Sequence, residues 1–207
     1  MAEALLTYAL TTVARVKTRL TITVSTHDTI LLYLINSVTD FIEGECNRRF
    51  KVAVYMNELY SMQSNGNNLL VLKQSPVSAI SYLQFRAGLK SNPNWTDFIA
   101  DDWELLDDGT SGIIEFRGAV IHGTNNVRAT YTAGYKINFA NYGDSSTHTL
   151  PADLTDLAER LVIKLFKRRE AEGKAREDFN GGSITWKDLL NTEDQETINK
   201  YRRVNFF

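Results

Sequence analysis

The chain has 207 residues, and 23 basic side chains against 25 acidic ones give a formal net charge of −2. That length predicts one domain, or one domain with an insertion, and a 43% hydrophobic fraction is enough to form a buried core. The absence of a strongly basic segment argues against tight binding to nucleic acid through many phosphates. No apolar run reaches the roughly 18–20 residues that span a bilayer, and residues 1–10 lack the pattern of a signal peptide.

The N-terminal part, residues 10–50, predicts a pair of helices. Thr11 is a candidate N-cap for a short helix, and a longer helix is expected from about Thr26 to Cys46. Ser25 and Asp28 resemble a capping box in front of it. Its apolar residues repeat every 3.6 positions and predict a buried stripe made of Leu31, Leu34, Ile35, Val38, Phe41 and Ile42.

Residues 52–135 change to a period of two and predict about six short strands. Asn65 to Asn68 contain a glycine between polar residues, which predicts a hairpin between the strands on either side. Because no long helix interrupts these strands, we expect an antiparallel sheet or a small barrel. Residues 92–117 hold seven acidic side chains opposed only by Arg117, so this β-rich insertion has an acidic part.

A long helix is expected over 150–173, with Pro151 in its first turn. Gly181 and Gly182 then lead into a C-terminal arm, 179–207, whose last helix we expect to begin with a Thr192–Gln195 capping box. The chain therefore predicts an α+β fold in which residues 1–207 form a single domain. Its parts are an N-terminal helix pair, an antiparallel β insertion, a long C-terminal helix and a terminal helical arm.

No catalytic motif is present, and the three histidines follow no metal-binding spacing, so we expect no catalytic residue, metal or cofactor. The lone Cys46 allows no internal disulfide, which fits a reducing cytoplasm, and predicts a small buried apolar residue. Four aspartates at 101–108 superficially suggest calcium binding, but Leu105 and Leu106 interrupt the spacing of an EF-hand loop. An exposed acidic loop is the favoured interpretation. A metal-dependent hydrolase is the alternative from another class of function.

Two features of the C-terminal part predict contacts with partners. Ile163 points about 150° away from the buried stripe of the long helix, among charged residues. The arm is dense in aromatic and apolar residues, which dominate interface energies when buried. The predicted partner-binding residues are Ile163, Trp186, Tyr201, Val204, Phe206 and Phe207. Alternatively, the arm packs on the domain of its own chain instead of on a partner.

Several segments together resemble the head–tail connector, or adaptor, proteins of tailed bacteriophages. The N-terminal matches are Thr12–Leu20, His27–Leu31 and Ile42–Phe50, the last with its acidic-Cys-x-Arg-x-Phe-like ending. The later matches are Tyr131–Tyr135, Leu150–Leu154 and Tyr201–Val204. The resemblance is weakest over 52–130, where larger members of that family carry a β insertion.

The resemblance implies a structural, non-enzymatic ring of twelve subunits in the virion neck, assembled in the host cytoplasm. The ring would join the portal protein to the tail or a stopper protein, contact neighbouring copies of itself and let DNA pass without reading its sequence. No membrane contact is implied. From the acidic segment itself we expect Asp101, Asp102, Asp107 and Asp108 to form an exposed loop that lines the DNA channel or orients the ring against a basic partner. A loop that only keeps the protein soluble is the alternative. Another neck component, a tail-completion or stopper protein, is the nearest alternative.

Overall fold

A computed structural model describes residues 4–62, 68–89, 92–118, 123–172 and 190–203. The chain divides into two compact units, which we call the helical unit (Met1–Phe50 with Lys136–Arg202) and the strand unit (Lys51–Tyr135 with Arg203–Phe207). The four described α-helices lie in the first unit, and the described strands form antiparallel sheets in the second. The predicted α+β class is confirmed.

The helical unit contains four helices: α1 Val13–Leu20, α2 Asp28–Cys46, α3 Ala152–Glu172 and α4 Thr192–Tyr201. Their apolar stripes meet in a core in which the fully buried residues include Val16, Leu31, Ile35, Val38, Ile42, Leu154, Leu157, Leu161 and Val162. Leu34 and Phe41, which we predicted to be in the buried stripe of α2, are only half-buried. Helix α2 therefore packs on a narrower stripe than its apolar composition predicts.

Three predicted helix caps are wrong by one or two residues. Thr12, not Thr11, caps α1 by accepting a hydrogen bond from the Arg15 N–H. His27 precedes α2 and makes no side-chain cap, so Ser25 has no such role. Asn191 and Asp194 form the capping box of α4, one residue before the predicted pair Thr192 and Gln195. Both residues of a capping box need a side-chain oxygen, and this sequence offers two overlapping pairs, Asn191 with Asp194 and Thr192 with Gln195.

Seven strands are described in the strand unit: β1 Ala53–Met62, β2 Leu69–Val71, β3 Val77–Leu89, β4 Asn92–Asp97, β5 Trp103–Leu105, β6 Ile113–Phe116 and β7 Gly123–Ala133. One antiparallel sheet has the order β1-β7-β3-β4, and a smaller one has the order β2-β6-β5. The predicted hairpin between β1 and β2 is wrong, because these strands belong to different sheets. Asn65 to Asn68 have the polar composition of a turn, but pairing with strands distant in the sequence determines the partners of β1 and β2.

The core of the strand unit follows from the alternation along β7. Val127, Ala129, Tyr131 and Ala133 are buried, and they pack with Leu70, Leu72, Ile114 and Phe116 around the smaller sheet. A polar group lies inside this core, where the Tyr60 and Tyr131 hydroxyls both donate to Glu58 Oε2, at 2.6 and 2.8 Å. The second face of the larger sheet consequently carries the residues between the buried ones.

Candidate functional site

Glu159 on α3 is the centre of a buried charge network in the helical unit. Its side chain is 5% exposed and accepts from the Arg15 Nε at 2.6 Å and the Arg19 guanidinium at 3.0 Å. The Thr11 hydroxyl donates to it at 3.1 Å. A buried carboxylate is stable only when it is paired and hydrogen-bonded, and these three donors supply both conditions. The network joins α1 to α3.

Asp194 is a second buried carboxylate, fully enclosed at the start of α4. It pairs with Lys164 Nζ at 2.5 Å and with Arg160 at 3.3 Å, both on α3. The basic run of α3 is thus partly used inside the protein, while Lys167 and Arg169 beyond it are exposed. This arrangement fixes α4 on the helical unit by charge as well as by packing.

Tyr201 also belongs to this packing. It is 8% exposed, and its hydroxyl donates to the Asp153 carboxylate at 2.7 Å, beside the Lys200–Asp153 ion pair at 2.6 Å. Although burial opposes it, the Lys200 and Tyr201 hydrogen bonds lower the pKa of Asp153. The ring is therefore largely covered by its own unit, and a contact of Tyr201 with a partner stays a prediction.

The other predicted partner-binding residues are placed differently. Trp186, Val204, Phe206 and Phe207 lie outside the described residues. Ile163 is half-buried on α3 and therefore retains an accessible portion. Of the predicted set, the structure describes Ile163 and Tyr201, and it does not bring these two residues together.

Asp101, Asp102, Asp107 and Asp108 are all exposed, in two short 3-10 turns on either side of β5. Asp107 and Asp108 have positive φ angles of 52° and 49°, a conformation that Asp tolerates better than most residues. Gly109 follows with φ +82°, and a Cβ there would lie 2.1 Å from the Val77 carbonyl oxygen. Within the described residues, no group of three or more His, Cys, Asp or Glu side chains is arranged to hold a metal ion.

Cys46 is buried at the end of α2, and its thiol donates to the Ile198 carbonyl of α4 at 3.6 Å. Burial raises the pKa of the Cys46 thiol to about 11. It is the small buried residue that the sequence predicted. A thiol this basic and enclosed is a poor nucleophile.

His148 lies in an aromatic cluster with Phe139 and Tyr142, at ring distances of 5.0 and 4.8 Å. The Asn138 N–H donates to its Nδ1 at 3.0 Å, so the ring is neutral, and its Nε2 is enclosed without a partner among the described residues. Burial lowers the pKa of His148, and the nearby Arg15 guanidinium contributes. Arg15 itself lies over the Tyr142 ring at 4.2 Å.

The sequence alone did not predict an accessible apolar surface on the strand unit. Eight large apolar side chains are exposed among the described residues, and four of them lie on the larger sheet: Val54, Met56, Leu59 and Tyr82. The period-two pattern of β1 was visible in the sequence, but it does not reveal which sheet face is covered. A pattern of apolar residues on both faces of β1 was the signal that could have found it.

No described helix is long and apolar enough to cross a membrane. No curated protein matches the sequence significantly. The chain is similar in fold to one in a solved structure described as "Neck of empty GTA particle computed with C6 symmetry". That match has a TM-score of 0.53 and 20% identity and covers 94% of this chain and 90% of the other. A second similar chain, from "Virion of native gene transfer agent (GTA) particle", has a TM-score of 0.47 and 18% identity, covering 89% and 82%.

A protein-family model described as "Head completion protein" matches residues 9–204, and so includes both units. The earlier resemblance to phage connector proteins is confirmed. Proteins of this kind are structural parts of the phage virion, which agrees with the prediction of a non-enzymatic chain. On the match across nearly its whole length, the chain belongs to the head completion protein family.

Proposed function

We propose that the chain forms a ring in the neck of a tailed phage, between the portal vertex of the capsid and the tail, through which DNA passes. The family match over residues 9–204 is the observation that carries this proposal. The fold similarity to a chain from a gene transfer agent neck agrees with it. From the resemblance to connectors, the proposal further includes a ring of twelve subunits, a portal partner, a tail or stopper partner and assembly in the host cytoplasm.

The free protein is a monomer or a weak oligomer in this proposal, and the portal supplies the template on which the ring closes. A cyclic ring requires one surface of each subunit to meet a different surface of the next. Closure on a template removes most of the cost of bringing many subunits together, since each binding event after the first is intramolecular in effect.

The four exposed aspartates belong to this proposal as groups that line the channel or orient the ring. Like charge repels the phosphate backbone, so an acidic lining lets DNA slide instead of holding it. A quadruple Asp→Asn variant at 101, 102, 107 and 108 should fold normally, because exposed charges contribute little stability. If the aspartates orient the ring, this variant binds portal in mixed orientations or more weakly.

Electron microscopy of the purified protein with the portal protein of the same phage tests the proposal. We expect a closed ring on the side of the portal that faces the tail, with a subunit count that can be read from class averages. Sedimentation of the protein alone should show mainly monomer at micromolar concentration. Binding only to isolated tails, with none to portal, would contradict the connector role and indicate a tail-completion or stopper protein.

A further inference from the structure

The larger sheet of the strand unit has an outer face that its smaller sheet does not cover. Arg128, Thr130 and Thr132 alternate with the buried residues of β7 and therefore point to that face. Their cross-strand partners share it: Val54 opposite Thr132 and Leu59 opposite Arg128 on β1, and Tyr82 opposite Thr130 on β3. We call these residues, together with Met56, the outer face.

The outer face is apolar and accessible. Met56 is 73% exposed, Tyr82 60%, Val54 58% and Leu59 42%. Its charge is confined to one end, where Arg128 lies over the Trp95 ring at 4.5 Å and its Nε donates to Gln84 at 2.9 Å. Several large apolar side chains exposed on one face form the kind of contiguous patch that often marks an interaction site.

Helix α2 of the helical unit carries a matching second surface. Residues 29–39 contain no charged side chain. Besides the buried stripe through Leu31 and Ile35, this segment has Ile30, Tyr33, Leu34 and Ser37 at i, i+3, i+4 and i+7, about 120° around the helix. Tyr33 is 53% exposed, and the other three are half-buried. We call these four residues the second stripe.

The two surfaces fit each other in size and chemistry. The uncharged segment of α2 is about 15 Å long, and β1 from Val54 to Leu59 extends about 16 Å. Strands β1, β7 and β3 span about 10 Å from the first to the third, close to the diameter of one helix. The centre of each surface is apolar with hydroxyl groups, so no charge is placed at the centre of the contact. The charge at the edge of the outer face, Arg128, is held by the Trp95 ring and by Gln84.

We infer that the second stripe of one subunit packs on the outer face of the next, and that this contact closes the ring. The inference rests on the proposed function, and a second copy of this chain is the occupant of both surfaces. A head-to-tail ring requires two unlike complementary surfaces on each subunit, which these provide. A helix on an open sheet face is also a common way for two elements to bury apolar surface.

Cysteine cross-linking tests the contact directly. Tyr33→Cys and Met56→Cys are made as separate proteins, and both carry Cys46, which is buried and serves as the background in wild type. On portal under mild oxidation, the mixture should give disulfide dimers, and neither variant alone should. The control mixture pairs Tyr33→Cys with Thr110→Cys, an exposed residue that is not part of the outer face, and should give none. Dimers from one variant alone would indicate a symmetric contact and overturn the inference.

Charge insertion gives an independent readout. Tyr33→Lys or Met56→Lys should weaken assembly at least about tenfold while leaving the circular dichroism spectrum unchanged, because each places an unpaired charge in the contact. Thr110→Lys is the matched control and should assemble as wild type does. If wild type forms rings on portal but the cysteine mixture gives no mixed disulfide, or if both lysine variants assemble as wild type does, this inference alone is contradicted.

Failure of the proposed function has a different signature, which is wild-type protein that forms no ring on portal. In that case the same mixture is oxidised at high concentration without portal. Mixed dimers there would support the contact between copies, whereas their absence would overturn both proposals. A cross-link from Met56→Cys to portal instead of to a second copy would show that portal covers the outer face.

Discussion

At the scale of single residues, Glu159 determines how α1 is held against α3. Its buried carboxylate accepts from Thr11, Arg15 and Arg19, and the last of these also pairs with Asp156 at 2.7 Å. Removing the negative charge leaves two guanidinium groups, each about one-third exposed, without their shared partner. The network is therefore a source of stability that depends on one side chain.

Replacing Glu159 by Gln should lower the free energy of unfolding by about 3 kcal/mol, because one charge of a buried network is lost and the others remain. Urea denaturation followed by circular dichroism measures this. Glu104→Gln is the matched control: Glu104 pairs with Arg117 on the surface, and its loss should cost less than about 1 kcal/mol. Equal effects of the two substitutions would contradict the importance of burial.

His148 should make the protein sensitive to mild acid. Its pKa is lowered in the folded protein from the ordinary value of 6.5, so the unfolded chain binds the proton more readily. Stability from the neutral ring is complete above about pH 6.5 and is lost as the pH falls toward the lowered value. Protonation would place a cation beside Arg15, with Nε2 enclosed and unpaired.

The test compares the pH dependence of unfolding in wild type and His148→Gln. The variant should lose less stability than wild type as the pH is lowered from about 7 to about 5. Parallel curves for wild type and His148→Gln would show that other groups cause the acid sensitivity.

At the scale of elements, α4 covers the end of α2. Ile198 is buried, its carbonyl accepts from the Cys46 thiol, and Arg202 donates to the Glu45 carbonyl at 3.0 Å. The apolar residues of the arm were predicted to anchor on a partner, with packing on the own domain as the alternative. The structure shows α4 packed on its own unit, and docking of the arm on a partner stays a prediction.

Deleting residues 190–207 should therefore expose Cys46 and make it react with a thiol reagent far faster than in the full chain. It should also destabilise the helical unit through loss of the Asp194 and Asp153 ion pairs. Deleting only residues 204–207 is the control and should leave Cys46 protected. A thiol that stays unreactive in the longer deletion would show that α4 does not cover it.

The sequence allowed good predictions of the helices and poorer ones of the sheets, for a physical reason. A helix satisfies its hydrogen bonds locally, so the sequence identified α2 and α3, and the period in α2 also identified most of its buried residues. A strand is satisfied by distant partners, so nothing local to β1 and β2 indicated that they pair with β7 and β6. Caps shifted by a residue or two because neighbouring polar residues offered near-equivalent oxygens.

At the scale of the whole molecule, the helical unit combines Met1–Phe50 with Lys136–Arg202, and most of the strand unit is Lys51–Tyr135. The described strands all lie between Ala53 and Ala133. The candidate surfaces were less predictable. Tyr33 and Met56 lie in segments that read as ordinary core elements, and only the three-dimensional fold shows that one face of each remains accessible.

The uncharged stretch of α2 from Thr29 to Thr39 has a consequence for the salt concentrations and temperatures at which assembled rings stay intact. A contact made through such a surface contains no ion pair for dissolved salt to screen, so raising the ionic strength should not loosen it. Apolar burial is largely entropic near room temperature and weakens on cooling. Rings joined in this way would tolerate concentrated salt yet come apart more readily in the cold.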